Sequence, residues 1–192
     1  MLVSSIRTVA PTSSLVTVED VRAQARVDDA WEDDLISGII AAAEQAIEYR
    51  TRRSLLSQTW RAYYSEVTCG RPEPLPFGPL SAPATVQYLS AASTWTSTTV
   101  SQLIDGSPAF WYPPHDVTPY DPQDGSPQWR ATYTTGTDVE YVPTPIRQAV
   151  LMLAAHLYEQ RTPIVIGTIV SDIPMTIEFL IAPFLSPTSA GI

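Results

Sequence analysis

Five groups of side chains in this sequence could do chemistry. His115 and Asp116 are adjacent in the loop 113–121, and a His held by a carboxylate can serve as a general base. No strained Gly-x-Ser-x-Gly turn accompanies them to carry a nucleophile, and adjacent residues rarely point at one another, so the pair reads as part of a solvated loop. His156 sits in an apolar stretch near Tyr158 and Glu159, where it could titrate near neutral pH or act as an interior hydrogen-bonder. Cys69, beside Gly70 and Arg71, would be reactive only if its thiol pKa were lowered, and no helix N-terminus is expected there to do so. Asp28, Asp29, Glu32, Asp33 and Asp34 are the densest acidic cluster. They lack the alternating oxygen ligands and the Gly of a calcium loop, but they suit the positive end of a helix dipole. Trp95, Trp111, Tyr112, Tyr120 and Trp129 could stack sugars or bases, fill a core, or anchor an interface. With no Gly-rich phosphate loop, these groups do not add up to an active site. The expectation is a protein that is not an enzyme and needs neither cofactor nor metal.

Composition narrows the classes further. The chain has 192 residues, 44% hydrophobic but only 16% charged, against about 25% for an average soluble domain. Its net charge of −9 opposes nucleic-acid binding by phosphate neutralisation. One Cys and two His leave no disulfide framework and no Cys/His zinc site. No apolar run approaches the roughly 20 residues of a membrane span, and the N-terminus lacks the pattern of a secretory signal, so an intracellular product is expected. Low charge combined with many Ser and Thr gives surface that is easily desolvated, which suits subunit contacts.

The elements that must position these groups fall into three stretches. Residues 1–16 read as a flexible lead. Thr17, with Asp20 three residues on, opens a first helix that ends near Val27. Asp28 or Asp29 caps a second helix running to about Arg50, whose stripe is read as Trp31, Leu35, Ile39, Ala42, Ala43, Ala46 and Ile47. From Gln58 the period becomes two, with Trp60, Ala62 and Tyr64 alternating with Arg61 and Tyr63. Further strands are expected at 84–90, 100–104 and 128–135, separated by turn signals such as Phe77-Gly-Pro79 and Asp105-Gly106. More than half of the 18 prolines lie between Pro72 and Pro127, so the sheet should be small, with long loops. Thr144-Pro145 opens a third helix, striped by Ile146, Ala149, Val150, Leu153 and Leu157 and apolar almost all round. A short fourth helix is expected between Asp172 and Pro183, inside a Pro-punctuated apolar arm.

The ordered set of these pieces resembles the head–tail connector (adaptor) proteins of long-tailed bacteriophages and gene transfer agents. The resemblance is carried by Val16-Thr17, Ala25-Arg-Val-Asp28, Leu35-Ile36, Ala41-Ala-Ala43 and Tyr49-Arg-Thr-Arg-Arg53, then Leu55-Leu-Ser-Gln-Thr-Trp60. It continues through Pro79-Leu80, Val86-Gln-Tyr88, Tyr133-Thr-Thr-Gly136, the run from Pro143 to Arg161 and the segment Pro174 to Phe184. The Ser/Thr tract 93–101 and the Pro-rich 105–127 depart from the pattern.

The resemblance implies a homo-oligomeric ring, usually of twelve subunits, under the portal protein at the head–tail junction of a virion assembled in the host cytoplasm. Such a ring extends the DNA channel without binding DNA specifically and docks a tail-completion or stopper protein, with no membrane involved.

The fold class expected is α+β: a helical bundle from 17–53 plus 144–161, a small antiparallel β module inserted at 54–143, and a C-terminal arm at 162–192. On that reading Ile164, Val165, Ile166, Ile169, Ile173, Phe179, Phe184 and Leu185 would meet the portal. Trp31, Leu151, Tyr158, Trp95 and Trp111 would lie between subunits, and the acids 28–34 would face the lumen. Two rivals stand beside it: a carbohydrate- or cell-surface-binding β module using Trp95, Trp111 and Tyr112, and a hydrolase using His115 and Asp116.

Overall fold

The alternation read from Gln58 becomes strand β2, whose burial alternates residue by residue along Gln58–Tyr64, in a computed structural model that describes residues 1–27, 30–100, 102–106, 108–121, 125–160 and 175–186. The chain divides into two compact units.

The β unit comprises Met1–Pro11 and Arg52–Thr137. Its larger sheet holds β1 (Leu2–Val9), β2, β8 (Trp129–Thr135), β4 (Thr85–Leu89) and β5 (Trp95–Thr98), in that spatial order and with every pair antiparallel. A smaller sheet orders β3 (Glu73–Leu75), β7 (Ala109–Tyr112) and β6 (Gln102–Ile104). Because strand side chains alternate between faces, Trp60, Ala62 and Tyr64 of β2 and Trp129, Ala131 and Tyr133 of β8 point the same way. They meet Leu75, Ala109 and Trp111 of the smaller sheet in one core. Phe77 joins them, its ring stacked on Trp60 with centroids 4.2 Å apart. Aromatic rings that each bury about 150–250 Å² supply most of this core.

Prolines are tolerated here because each keeps its carbonyl. The Tyr64 hydroxyl donates to the Pro74 carbonyl at 2.6 Å and the Tyr133 hydroxyl to that of Pro76 at 3.1 Å. Burial pushes both phenols above the ordinary tyrosine range. The chain enters and leaves the unit side by side. Leu56 bridges Thr137, and Gly136 (φ +84°) brings its α-carbon against the Leu56 carbonyl.

Four features differ from the expectations. Residues 1–16, read as a flexible lead, contain β1, which pairs with Thr59–Tyr64 of β2 through two bulges. Its pattern was masked because the bulges at Leu2/Ser4 and Arg7/Val9 break the two-residue period. Strand β5 lies in the Ser/Thr tract, where side-chain polarity hides the alternation. Strand β3 contains Pro74, and β7 is an unbroken Ala-Phe-Trp-Tyr run with no polar alternation to mark it.

The helical unit comprises Thr12–Thr51 and Asp138–Leu185. Helix α1 (Val18–Ala25) starts with a complete capping box: Thr17 Oγ1 accepts from the Asp20 N–H at 3.1 Å and Asp20 Oδ2 accepts from the Thr17 N–H at 2.9 Å. A 3-10 turn, Ala30–Glu32, leads into α2 (Asp33–Thr51). Helix α3 (Thr144–Glu159) carries Pro145 in its first turn, and α4 (Met175–Ile181) is followed by a 3-10 turn, Ala182–Phe184. Both α2 and α4 pack on α3, as does α1. Their common core is Val21, Ile36, Ile40, Ala43 and Ile47 with Ile146, Ala149, Val150, Leu153, Ile177 and Ile181.

Candidate functional site

In the helical unit, the buried row of α2 is Ile36, Ile40, Ala43 and Ile47; Ala43 and Ile47 belong to the stripe expected from the sequence, whereas Ile36 and Ile40 lie one position round from its Leu35 and Ile39. Leu35, Ala42 and Ala46 are exposed, Ile39 is half-buried, and Trp31 is 94% exposed. Both rows satisfy the 3–4 spacing, so spacing could not choose between them; the row with three isoleucines buries more apolar area and wins. The outcome is an apolar helix face left open, running from Trp31 through Leu35, Ala42 and Ala46 to Tyr49. On α3, Ile146, Ala149, Val150 and Leu153 are buried as expected, whereas Leu157 is exposed and Leu151 and Tyr158 are half-buried.

The acidic cluster is partly used inside this unit. Asp28 and Asp29 lie outside the described residues. Glu32 accepts a hydrogen bond from the Tyr158 hydroxyl, Asp33 pairs with Arg22, and Asp34 is exposed. Like the buried Glu48, Glu44 is a carboxylate set into the unit. It accepts from the Leu15 N–H at 2.6 Å, and burial, with Glu48 nearby, raises its pKa above the ordinary range despite that bond.

Of the residues expected to meet the portal, Ile164, Val165, Ile166, Ile169 and Ile173 lie outside the described residues. The described end of the expected arm folds onto its own unit. Ile177 and Ile181 are buried, and Arg50 holds Glu178 through two bonds of 2.9 and 3.0 Å. Phe179 is left 79% exposed, Leu185 is exposed and Phe184 is half-buried.

In the β unit, Trp111 is fully buried, with its ring 5.6 Å from that of Trp129. It therefore serves the core, and neither a subunit contact nor a sugar platform can use it. Burial alternates along its strand, with Ala109 and Trp111 inward and Phe110 and Tyr112 half-buried, so the ring that looked available faces the core. Trp95 is half-exposed on the other face of the larger sheet. There the Arg130 guanidinium lies 4.6 Å over its ring and Tyr63 meets it edge-on at 6.4 Å. Burial, and then the Arg61 guanidinium nearby, push Arg130 below the ordinary arginine range. Sequence reasoning missed this cationic pair. Its signal was the alternation itself, since Arg61 and Arg130 occupy the polar positions of β2 and β8.

His115 and Asp116 are exposed in their loop and make no hydrogen bond with each other. Cys69 is exposed, with Sγ 3.4 Å from the Pro114 carbonyl oxygen. Among the described residues no cluster of three or more His, Cys, Asp or Glu is arranged to hold a metal, and no helix is long and apolar enough to cross a membrane.

What the arrangement offers is contact surface. Residues 15–92 match the family model of the phage gp6-like head-tail connector protein. No curated protein matches the chain. Among solved structures, the neck of an empty gene transfer agent particle computed with C6 symmetry contains a chain of TM-score 0.78 and 23% identity, with 99% of each chain covered. A chain in the virion of a native gene transfer agent particle gives TM-score 0.77 and 22% identity, again over 99% of each. One in the neck of the native particle computed with C12 symmetry gives 0.66 and 21%, over 96% of this chain and 98% of that one. The resemblance to head–tail connectors of phages and gene transfer agents is thus found again in a family model over residues 15–92, and its α+β fold is shared over nearly the full length of chains from gene transfer agent necks.

Proposed function

We propose that this chain is a structural head–tail connector whose copies close into a ring under the portal of a phage or gene transfer agent particle, extend the DNA channel and dock a tail-completion protein. The observation that carries the reading is the likeness in fold, over 99% of both chains, to a neck component of a particle computed with cyclic symmetry. The match of residues 15–92 to the head–tail connector model supports it independently.

A ring closes by repeating one heterologous contact, and the exposed surface formed by Trp31 of the 3-10 turn and Leu35 of α2 supplies apolar area for such a contact. Phe179, Phe184 and Leu185, together with the apolar positions Ile164, Val165, Ile166, Ile169 and Ile173, are the portal-facing set. Asp34, with Asp28 and Asp29, is the set that would line a lumen and repel phosphate so that duplex DNA slides without being gripped. Nothing in this mechanism requires catalysis, a cofactor or a membrane.

The test is the mass of the purified chain by light scattering and electron microscopy, alone and mixed with its portal. A ring in either sample is expected, with twelve copies as the reference number. A monomer of 21.0 kDa in both samples would refute the reading.

A further inference from the structure

We propose that the outer face of the five-stranded sheet receives carboxylates of a second copy of this chain, seated on the guanidiniums of Arg61 and Arg130 beside Trp95 and Tyr63. The inference rests on the ring reading and names one of its contacts.

The register places the two arginines together. Tyr63 is opposite Arg130 and Arg61 is opposite Thr132, so Arg61 and Arg130 are diagonal neighbours on one face of adjacent strands. Each is held by its inner nitrogen. Arg61 Nε donates to Thr132 Oγ1 at 3.4 Å, and Arg130 Nε donates to Gln87 Oε1 at 2.7 Å. The Trp95 ring under Arg130 fixes the plane of that guanidinium. Neither arginine has an ion pair among the described residues, and both are half-exposed. The outward-facing residues of β2, β8, β4 and β5 include no Asp or Glu.

Two oriented, uncompensated cations on an acid-free face are unusual in a chain with 20 acidic and 11 basic residues. A guanidinium fork with free terminal nitrogens matches a carboxylate, and Arg, Trp and Tyr together are the residue types that dominate interface energetics. The complementary charge is abundant on the chain itself. Asp138 and Glu140 of the helical unit are exposed and form no ion pair among the described residues. A heterologous ring contact joins two different surfaces of one chain, which this pairing of a cationic sheet face with acidic segments satisfies. Duplex DNA fits the face less well, because two cations on a protein of net charge −9 fall short of a phosphate-neutralising track.

The experiment uses the full chain with a photoreactive benzophenone amino acid installed at Ser97, an exposed position on this face, over a concentration series at low and high salt. The double variant R61E/R130E is measured beside it, with R61Q/R130Q as the milder pair if the reversal fails to fold by circular dichroism. Expected are a crosslinked dimer whose junction maps to an acid-bearing segment of the second copy, loss of that adduct at high salt, and self-association weakened about tenfold or more in the charge variants. Unchanged self-association in both variants overturns the inference while leaving the ring reading intact. A protein monomeric at every concentration, alone and with its portal, overturns both. A salt-sensitive adduct to added duplex DNA in place of the dimer overturns it in favour of a nucleic-acid face.

Discussion

Replacing Gly136 by Ala separates two costs that usually travel together. Gly136 follows β8 at φ +84°, and a Cβ built there would collide with the Leu56 carbonyl oxygen and carbon and come to 3.0 Å from the Ser57 nitrogen. The left-handed backbone alone costs an alanine roughly 1–2 kcal/mol. The collision adds more, because all three atoms are backbone and cannot rotate away. Relief means moving residues 56–57 off Thr137, which breaks the bonds from Ser57 N–H to Thr137 O and from Thr137 N–H to Leu55 O. Two backbone bonds at about 1 kcal/mol each bring the total to roughly 3–4 kcal/mol. Gly70 is the internal control: its φ is +80° but nothing lies within 4 Å of its Cβ position, so Gly70→Ala should cost only the first part. Urea titrations followed by tryptophan fluorescence report on the β unit, where Trp60, Trp111 and Trp129 are buried. The midpoint should fall at least twice as far for Gly136→Ala as for Gly70→Ala. Equal shifts would refute the argument that backbone contact, not φ alone, demands glycine there.

Two further outcomes follow from the helical unit. Glu44→Gln removes a carboxylate whose folded pKa is raised by burial, so the wild type loses stability as pH climbs from the ordinary carboxylate range through that raised value. The variant's advantage in thermal midpoint should therefore grow between about pH 4 and pH 7, and a difference that stays constant or shrinks would contradict the assignment. Ile177→Ala deletes a side chain that is 1% exposed from a helix of seven residues, too short to persist without packing. About 2–5 kcal/mol is lost locally, so hydrogen exchange should accelerate in α4 well before α3 responds; uniform acceleration of both helices would show α4 to be inseparable from the bundle.

The contrast between legible and hidden elements has physical roots. Thr17 and Asp20 announced α1 because a capping box is chemistry confined to four residues. Strand β2 was legible because one of its faces is buried and the other is not. In α2 the stripe is right at Ala43 and Ile47 but one position off at its N-terminal end, since Ile36 and Leu35 both begin rows of the right period and only tertiary packing distinguishes them. Trp111 was misjudged for a related reason: local sequence does not say which side of a three-stranded sheet has a partner. Among the candidate surfaces, Trp31 and Phe179 stood out by residue type, whereas the Arg61–Arg130 pair emerged only when β2 and β8 were set in register.

The bridge between Leu56 and Thr137 also bears on how the chain finds its fold. Helices α2 and α3 must meet although the long β segment Arg52–Thr137 intervenes between them. An unformed insertion would make that meeting a long-loop closure. Once its ends are zipped together, the effective loop shrinks by about four doublings in length, a saving of roughly 2 kcal/mol in closure entropy. The insertion thus acts as a clasp on the polypeptide, and substitutions that loosen its neck at Leu56, Gly136 or Thr137 weaken the helical bundle without touching any residue of it.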